Sequence, residues 1–305
     1  MQQFTGSIII EETSVYKIHL WTSGKNTLPI IIIPPYAGRH GNVAQNLINR
    51  CKNYADTYVM ELKSATIETK DTSITDLINI IDIIYEYAPG ANLIGVCQGA
   101  WLSAIYAALY PEKVKTYTNF AGPINTKTGK ENKIEKYCEI TNIDIHKFVV
   151  NSHYGIQPGY MQWLSFAMIG FNYVFVQRWL ELFNIIFSND KKKLDKWIKV
   201  NGWYDEPQNL AGNWFLDCLE NHFMNNKLYD GKWIVNGEIV DLFNIDCPIY
   251  LFAGTKDQIT HPKQVFDMEK VVGSVKVFKY EFLNAGHTKS FTGKHELDIF
   301  ENVYK

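Results

Sequence analysis

The sequence predicts an α/β protein, a doubly wound and mostly parallel sheet interrupted by one helical insertion. Three observations predict it. Short β-branched or apolar runs alternate with helical patterns between residues 28 and 120. The alternation stops after Pro123 and resumes at Pro248. Between these points, aromatic-rich helical patterns dominate and strand runs are few. A chain of 305 residues, 46% hydrophobic and 14% aromatic, has ample material for the core such a sheet requires.

The elements follow in order. Ser7–Ile10 and the alternating run Val15–Trp21 flank the polar stretch Glu11-Glu12-Thr13-Ser14 and read as a hairpin. Leu28–Ile33 is continuously β-branched after Pro29, which suits a strand covered on both faces. It ends in Pro34-Pro35-Tyr36-Ala37-Gly38, and a helical pattern runs to about Tyr54. Thr57–Leu62 is a strand, and Ser73 with Asp76 marks a capping box for a helix up to Pro89. Asn92–Val96 is a strand, a helix extends to Tyr110, and Val114–Phe120 is a strand. In the insertion, tryptophans stand at 163, 179, 197, 203, 214 and 233, and Asn236-Gly237 predicts a hairpin turn. Pro248–Gly254 (strand), Pro262–Val272 (helix), Val275–Phe282 (strand) and a helix after Gly293 complete the pattern. Residues 1–124 and 245–305 are thus expected to form the core, and 125–244 a mostly helical cap.

Composition excludes several classes. A net charge of −2 with scattered Lys and Arg provides no footprint for nucleic acid. Five widely spaced cysteines without a C-x-x-C pair argue against a disulfide framework or zinc site and for a reducing compartment. Met1–Gly6 lacks a signal-peptide pattern, so the cytoplasm is expected. The longest apolar region, Tyr160–Phe187, contains Gln162, Asn172, Gln177, Arg178 and Glu181. It reads as an amphipathic helix covering something rather than an integral membrane span. Nothing reports oligomeric state, and a homodimer is left open.

The chemistry centres on Gly95-Val96-Cys97-Gln98-Gly99. A strand ends, one reactive side chain stands between two small residues, and a helix begins. That is the grammar of a nucleophile elbow with a thiol in place of the usual hydroxyl. Asp257 and His287 follow two later strands, at the sheet edge where open parallel sheets bind ligands. Nucleophile, acid, histidine is the chain order of α/β-hydrolases. An imidazole takes the thiol proton, a carboxylate orients the ring, and a thiolate beside an imidazolium is a strong nucleophile. The oxyanion of an acyl-transfer reaction needs backbone donors. Gln98 is expected to supply one and Tyr36 the other, with Ala37 second choice, because Pro34 and Pro35 carry no N–H. This chemistry requires no cofactor and no metal.

With these residues in place, the chain resembles the intracellular polyhydroxyalkanoate depolymerases and synthases of the α/β-hydrolase superfamily, which use a cysteine in this elbow. The run Tyr106–Lys115 resembles the synthases. Pro35–His40 and Gly122–Thr126 resemble the depolymerases, as does Gln157–Gln162. Depolymerases usually carry proline where Gly99 stands, and synthases glycine where Ala100 stands. The resemblance implies an acyl-enzyme on Cys97 and a 3-hydroxyalkanoate ester, polymer or acyl-CoA substrate. It implies hydrolysis first, transfer to an alcohol as the alternative, and non-catalytic granule or lipid binding as a third reading. Trp101, Tyr160 and Trp163 are the expected substrate contacts.

Overall fold

The computed structural model describes residues 4, 6–37, 40–129, 138, 141–169, 173–195, 197–198 and 207–304; Trp203 of the insertion lies outside them. Eight strands form one sheet in the order β1-β2-β4-β3-β5-β6-β11-β12. β1 (Ile8–Glu12) pairs antiparallel with β2 (Tyr16–Trp21), and β2 pairs antiparallel with β4 (Thr57–Leu62). From β4 onward, β3 (Ile30–Ile33), β5 (Asn92–Val96), β6 (Thr116–Phe120), β11 (Ile249–Gly254) and β12 (Val277–Phe282) run parallel.

The residues explain the layers. Ile30 and Ile32 enter one apolar cluster while Ile31 and Ile33 enter the other, because alternate side chains of a strand point to opposite faces. A strand covered on both faces must be apolar throughout, as this one is. The covering helices are α1 (His40–Cys51), α2 (Ile74–Tyr87) and α3 (Gln98–Leu109). Ser73 caps α2 as the sequence predicts: its Oγ accepts from Asp76 N–H, and the Asp76 carboxylate accepts from Ser73 N–H.

Between β6 and β11 the described elements are short and mainly helical. They are α4 (Ile143–Ser152), β7 (Ile156–Gln157), α5 (Gly159–Ile169), a π turn (Tyr173–Gln177) and α6 (Arg178–Ser188). Next come β8 (Leu210–Ala211), which pairs with β7, and α7 (Gly212–Asp217), extended by a π segment (Cys218–Met224). The expected hairpin is β9 (Ile234–Val235) and β10 (Glu238–Ile239), with Asn236 and Gly237 both at positive φ.

Two elements differ from expectation. The helix predicted over 262–272 is α8 (Pro262–Phe266) followed by a 3₁₀ turn (Asp267–Lys270). There the buried Asp267 carboxylate accepts from both Asn125 Nδ2 and Lys270 Nζ, which tightens the chain. The region 160–187 is two helices, and α6 turns most of its apolar side chains to solvent instead of covering the body. Among the described residues, no helix is long and apolar enough to cross a membrane. The chain then passes through α9 (Lys289–Thr292) to α10 (Lys294–Tyr304).

Candidate active site

The site is assembled at the C-terminal ends of β3, β5, β11 and β12. β5 ends at Val96, α3 begins at Gln98, and Cys97 joins them with φ 52 and ψ −115. A non-glycine residue held at positive φ is strained, and it persists because its surroundings fix it. Three glycines show how. A Cβ on Gly95 would lie 2.3 Å from Ala100 Cα, and one on Gly99 would lie 1.9 Å from Ile33 O. A Cβ on Gly122 would meet Ala100 Cβ at 2.3 Å and Cys97 O at 2.7 Å. Beneath the elbow, Cys97 N–H donates to Phe120 O at 2.8 Å. The turn after β6 is fixed in parallel: Ala121 also has positive φ (53), and the Asn119 amide bonds both the N–H and the C=O of Gly122.

Asp257 follows β11 and His287 follows β12, and the two meet. His287 Nδ1 donates to Asp257 Oδ2 at 2.7 Å, since a carboxylate only accepts. Asp257 Oδ1 accepts from Ile259 N–H (2.8 Å) and Thr260 N–H (2.9 Å), so both carboxylate oxygens are held. The Asp257 side chain is fully buried. With Nδ1 taken, Nε2 is the His287 nitrogen left to face the Cys97 thiol, and the Cys97 side chain is one of the groups that favour the imidazolium. Burial disfavours the imidazolium, but the charges of Asp257 and Cys97, together with the hydrogen bond to Asp257, hold His287 well above 6.5. The edge of the His287 ring meets Phe291 (centroids 5.7 Å apart).

The loop after β3 brings Tyr36 and Ala37 to the elbow. Ala37 N–H donates to the Gln98 side chain, Oε1, at 2.8 Å. Among the described residues, the backbone N–H groups of Tyr36 and Gln98 have no partner. The Tyr36 ring is anchored away from the site. Its edge packs on Trp214, its hydroxyl donates to Lys63 O at 3.3 Å, and burial pushes its pKa up to about 12.

The expected substrate contacts fare differently. Trp101 is fully buried among Trp214, Trp233 and His222, so it is a packing residue with no surface for a ligand. The reason lies in α3, which is buried all round from Gly99 to Ala108. Tyr160 is exposed on α5 and its hydroxyl hydrogen-bonds His153 Nε2 at 2.7 Å. Trp163, on the same helix, packs edge-on against Phe175. Neither interaction belongs to the Cys97–His287–Asp257 constellation. Among the described residues, no group of three His, Cys, Asp or Glu side chains is placed to hold a metal ion.

Three further residues that support the site were not legible in the sequence. Asn119 fixes the Gly122 turn. The Gln98 side chain ties the elbow to the Tyr36–Ala37 loop. His222, fully buried, bonds Pro123 O at 3.1 Å, just past that turn. None of these three roles follows from a periodic pattern or motif; only proximity across the fold reveals them.

Fold and elbow together define the α/β-hydrolase fold. Solved structures agree on the fold: an epoxide hydrolase from Bacillus megaterium (TM-score 0.59, 15% identity, 96% of this chain and 99% of that one). A monoacylglycerol lipase from Paleococcus ferrophilus is similar (TM-score 0.60, 13% identity, 94% and 96%). Within that fold, residues 120–302 match the family described as PHB de-polymerase C-terminus, and the chain belongs to that family. It is also similar to the poly(3-hydroxyalkanoate) polymerase subunit PhaC of Synechocystis sp., at 28% identity over 60% of this chain and 49% of the relative. The PhaC subunit of Allochromatium vinosum is 25% identical over 56% of this chain and 46% of its own. The chain thus spans about half the length of the curated relatives it matches.

Proposed function

We propose that this protein is a cysteine-nucleophile enzyme that cleaves ester or thioester bonds of 3-hydroxyalkanoate-type substrates through an acyl-enzyme on Cys97. The observation that carries the reading is one arrangement: Cys97 on a strained elbow, electrostatically coupled to His287, whose Nδ1 is held by Asp257. His287 Nε2 takes the thiol proton, and Cys97 Sγ attacks the substrate carbonyl. The N–H groups of Gln98 and Tyr36 hold the oxyanion. His287 returns the proton to the leaving alcohol or thiol. Water, deprotonated by the same imidazole, then attacks the acyl-enzyme; the acid departs and the thiol regains its proton. Residues 125–244 are proposed to cap the site and exclude bulk water.

Transfer to an alcohol is the second reading, favoured by the polymerase subunits among the relatives. Incubation with 3-hydroxybutyryl-CoA tests both. Free acid supports hydrolysis, and oligomer or acylated acceptor supports transfer. If neither product nor a covalent adduct on Cys97 forms, the acyl-enzyme reading fails. Cys97→Ala is expected to lose at least about 100-fold in rate, and Cys97→Ser to fold normally and react poorly.

A further inference from the structure

Helix α6 (Arg178–Ser188) faces the wrong way for a helix that closes a core. Five of its seven large apolar side chains, Trp179, Leu180, Phe183, Ile186 and Phe187, are exposed, Phe187 to 85%. At 100° per residue they share one arc of roughly 120°, a continuous apolar stripe rather than scattered surface residues. The side turned toward the body carries Arg178, buried beside the rings of Trp179 and Trp197, with the half-buried Leu182 and Ile185. Glu181, Asn184 and Ser188 occupy the flank between the two. The preceding π turn adds the exposed Phe175 and Val176 to the same surface. A soluble helix puts its apolar arc inward; this one presents it to whatever lies outside.

The segment just after α6 identifies the kind of partner. Asn189, at φ 51, ends the helix in a left-handed cap, and Lys191-Lys192-Lys193 follows, all three exposed. Lys193 pairs with Asp190 at 3.4 Å. Among the described residues, Lys191 and Lys192 have no ion pair. A neutral apolar surface would cover the aromatic stripe and leave these ammonium groups unmatched. A second copy docked face to face would bring two such lysine runs together. An anionic lipid surface accepts both parts, acyl chains taking the rings and headgroups taking the lysines.

We propose that α6, with the lysines that follow it, is an interfacial helix that docks this protein on anionic lipid. The inference does not depend on the reaction at Cys97. Docking would bring the protein to a surface where apolar acyl compounds collect.

The test is sedimentation of the full chain with vesicles of phosphatidylcholine alone or mixed with phosphatidylglycerol. The protein is expected to pellet with the mixed vesicles, to remain in solution with phosphatidylcholine alone, and to be released by salt. Phe183→Glu/Phe187→Glu should abolish pelleting while leaving the thermal melt unchanged, since both side chains are exposed. Lys191→Glu/Lys192→Glu should weaken binding to the mixed vesicles by roughly thirtyfold or more. If the phenylalanine variant melts early, the lysine variant alone carries the test. Wild type left in the supernatant with both vesicles would overturn the proposal. So would equal pelleting with both that the lysine variant does not change. A dimer dissolved by the phenylalanine variant, without vesicle binding, would make this face a self-interface and overturn it as well.

Discussion

Gln98 contributes its main chain and its side chain to different parts of the site. Its N–H is the proposed oxyanion donor, while its Oε1 accepts from Ala37 N–H and ties down the neighbouring loop. That second bond leaves the Tyr36 N–H as the loop's open donor, so the side chain acts by positioning. Gln98→Leu is expected to lower kcat by about tenfold with KM little changed, because one oxyanion donor is displaced without altering ground-state contacts. Steady-state kinetics separates the two parameters. At His287, burial disfavours the imidazolium, and the Asp257 charge is the larger of the two contributions that oppose it, with Cys97 the other. In Asp257→Asn the imidazole pKa should fall, with Cys97 alone left to oppose burial, read by NMR of the ring protons. In the wild type it stays charged well above 6.5. The raised pKa adds stability that is complete below pH 6.5 and is lost as pH rises through the native value. The variant should show a weaker alkaline slope. Cys97, Asp257 and His287 were legible because strand ends and chain order betray them. Gln98 Oε1, Asn119 and His222 were not, because each acts through a partner distant in sequence or through a backbone turn.

At the scale of elements, the elbow is a packing problem solved by absent side chains. Gly99→Ala would drive a methyl into the Ile33 carbonyl, and neither backbone can yield without moving β3 or the start of α3. It is expected to lower stability by about 3 kcal/mol or more, seen as a large drop in melting temperature. Gly286→Ala is the control. The nearest atom to its added methyl is 3.8 Å away, so its melt should stay close to wild type. Strands and helices of the sheet were legible because burial on two faces demands continuous apolar runs, and capping residues mark helix starts. The orientation of α6 was not. Periodicity reports that an apolar arc exists, whereas the direction of that arc depends on where neighbouring elements stand. The same limit applies to Trp101, whose position on α3 was visible and whose burial under Trp214 and Trp233 was not.

For the molecule as a whole, an aromatic cluster joins the sheet to the helical segment after β6. Trp101 from α3 stacks with Trp214 and Trp233, and His222 packs between them with its Nε2 on Pro123 O. Burial pushes the His222 pKa down to about 3, against the Pro123 hydrogen bond, which raises it. The unfolded chain therefore binds a proton that the native state refuses between pH 6.5 and 3. Stability falls as pH falls through that window, by up to about 1.4 kcal/mol per pH unit from this residue. His222→Leu should remove this contribution, so its denaturant midpoint should fall less steeply with acid than the wild type's. Parallel titrations followed by circular dichroism measure the difference.

The sheet order has a consequence in time as well as in space. β6 pairs with β11, and β11 with β12, so the strands before Asp257 and His287 are synthesised long after the elbow that holds the proposed nucleophile. Roughly 190 residues separate Cys97 from His287. At ribosomal speeds of about 5–20 residues per second, the thiol waits some 10–40 s for its base. On the proposed mechanism, a nascent chain holding the elbow alone lacks both His287 and Asp257, so the order of synthesis would itself keep the half-made site from reacting.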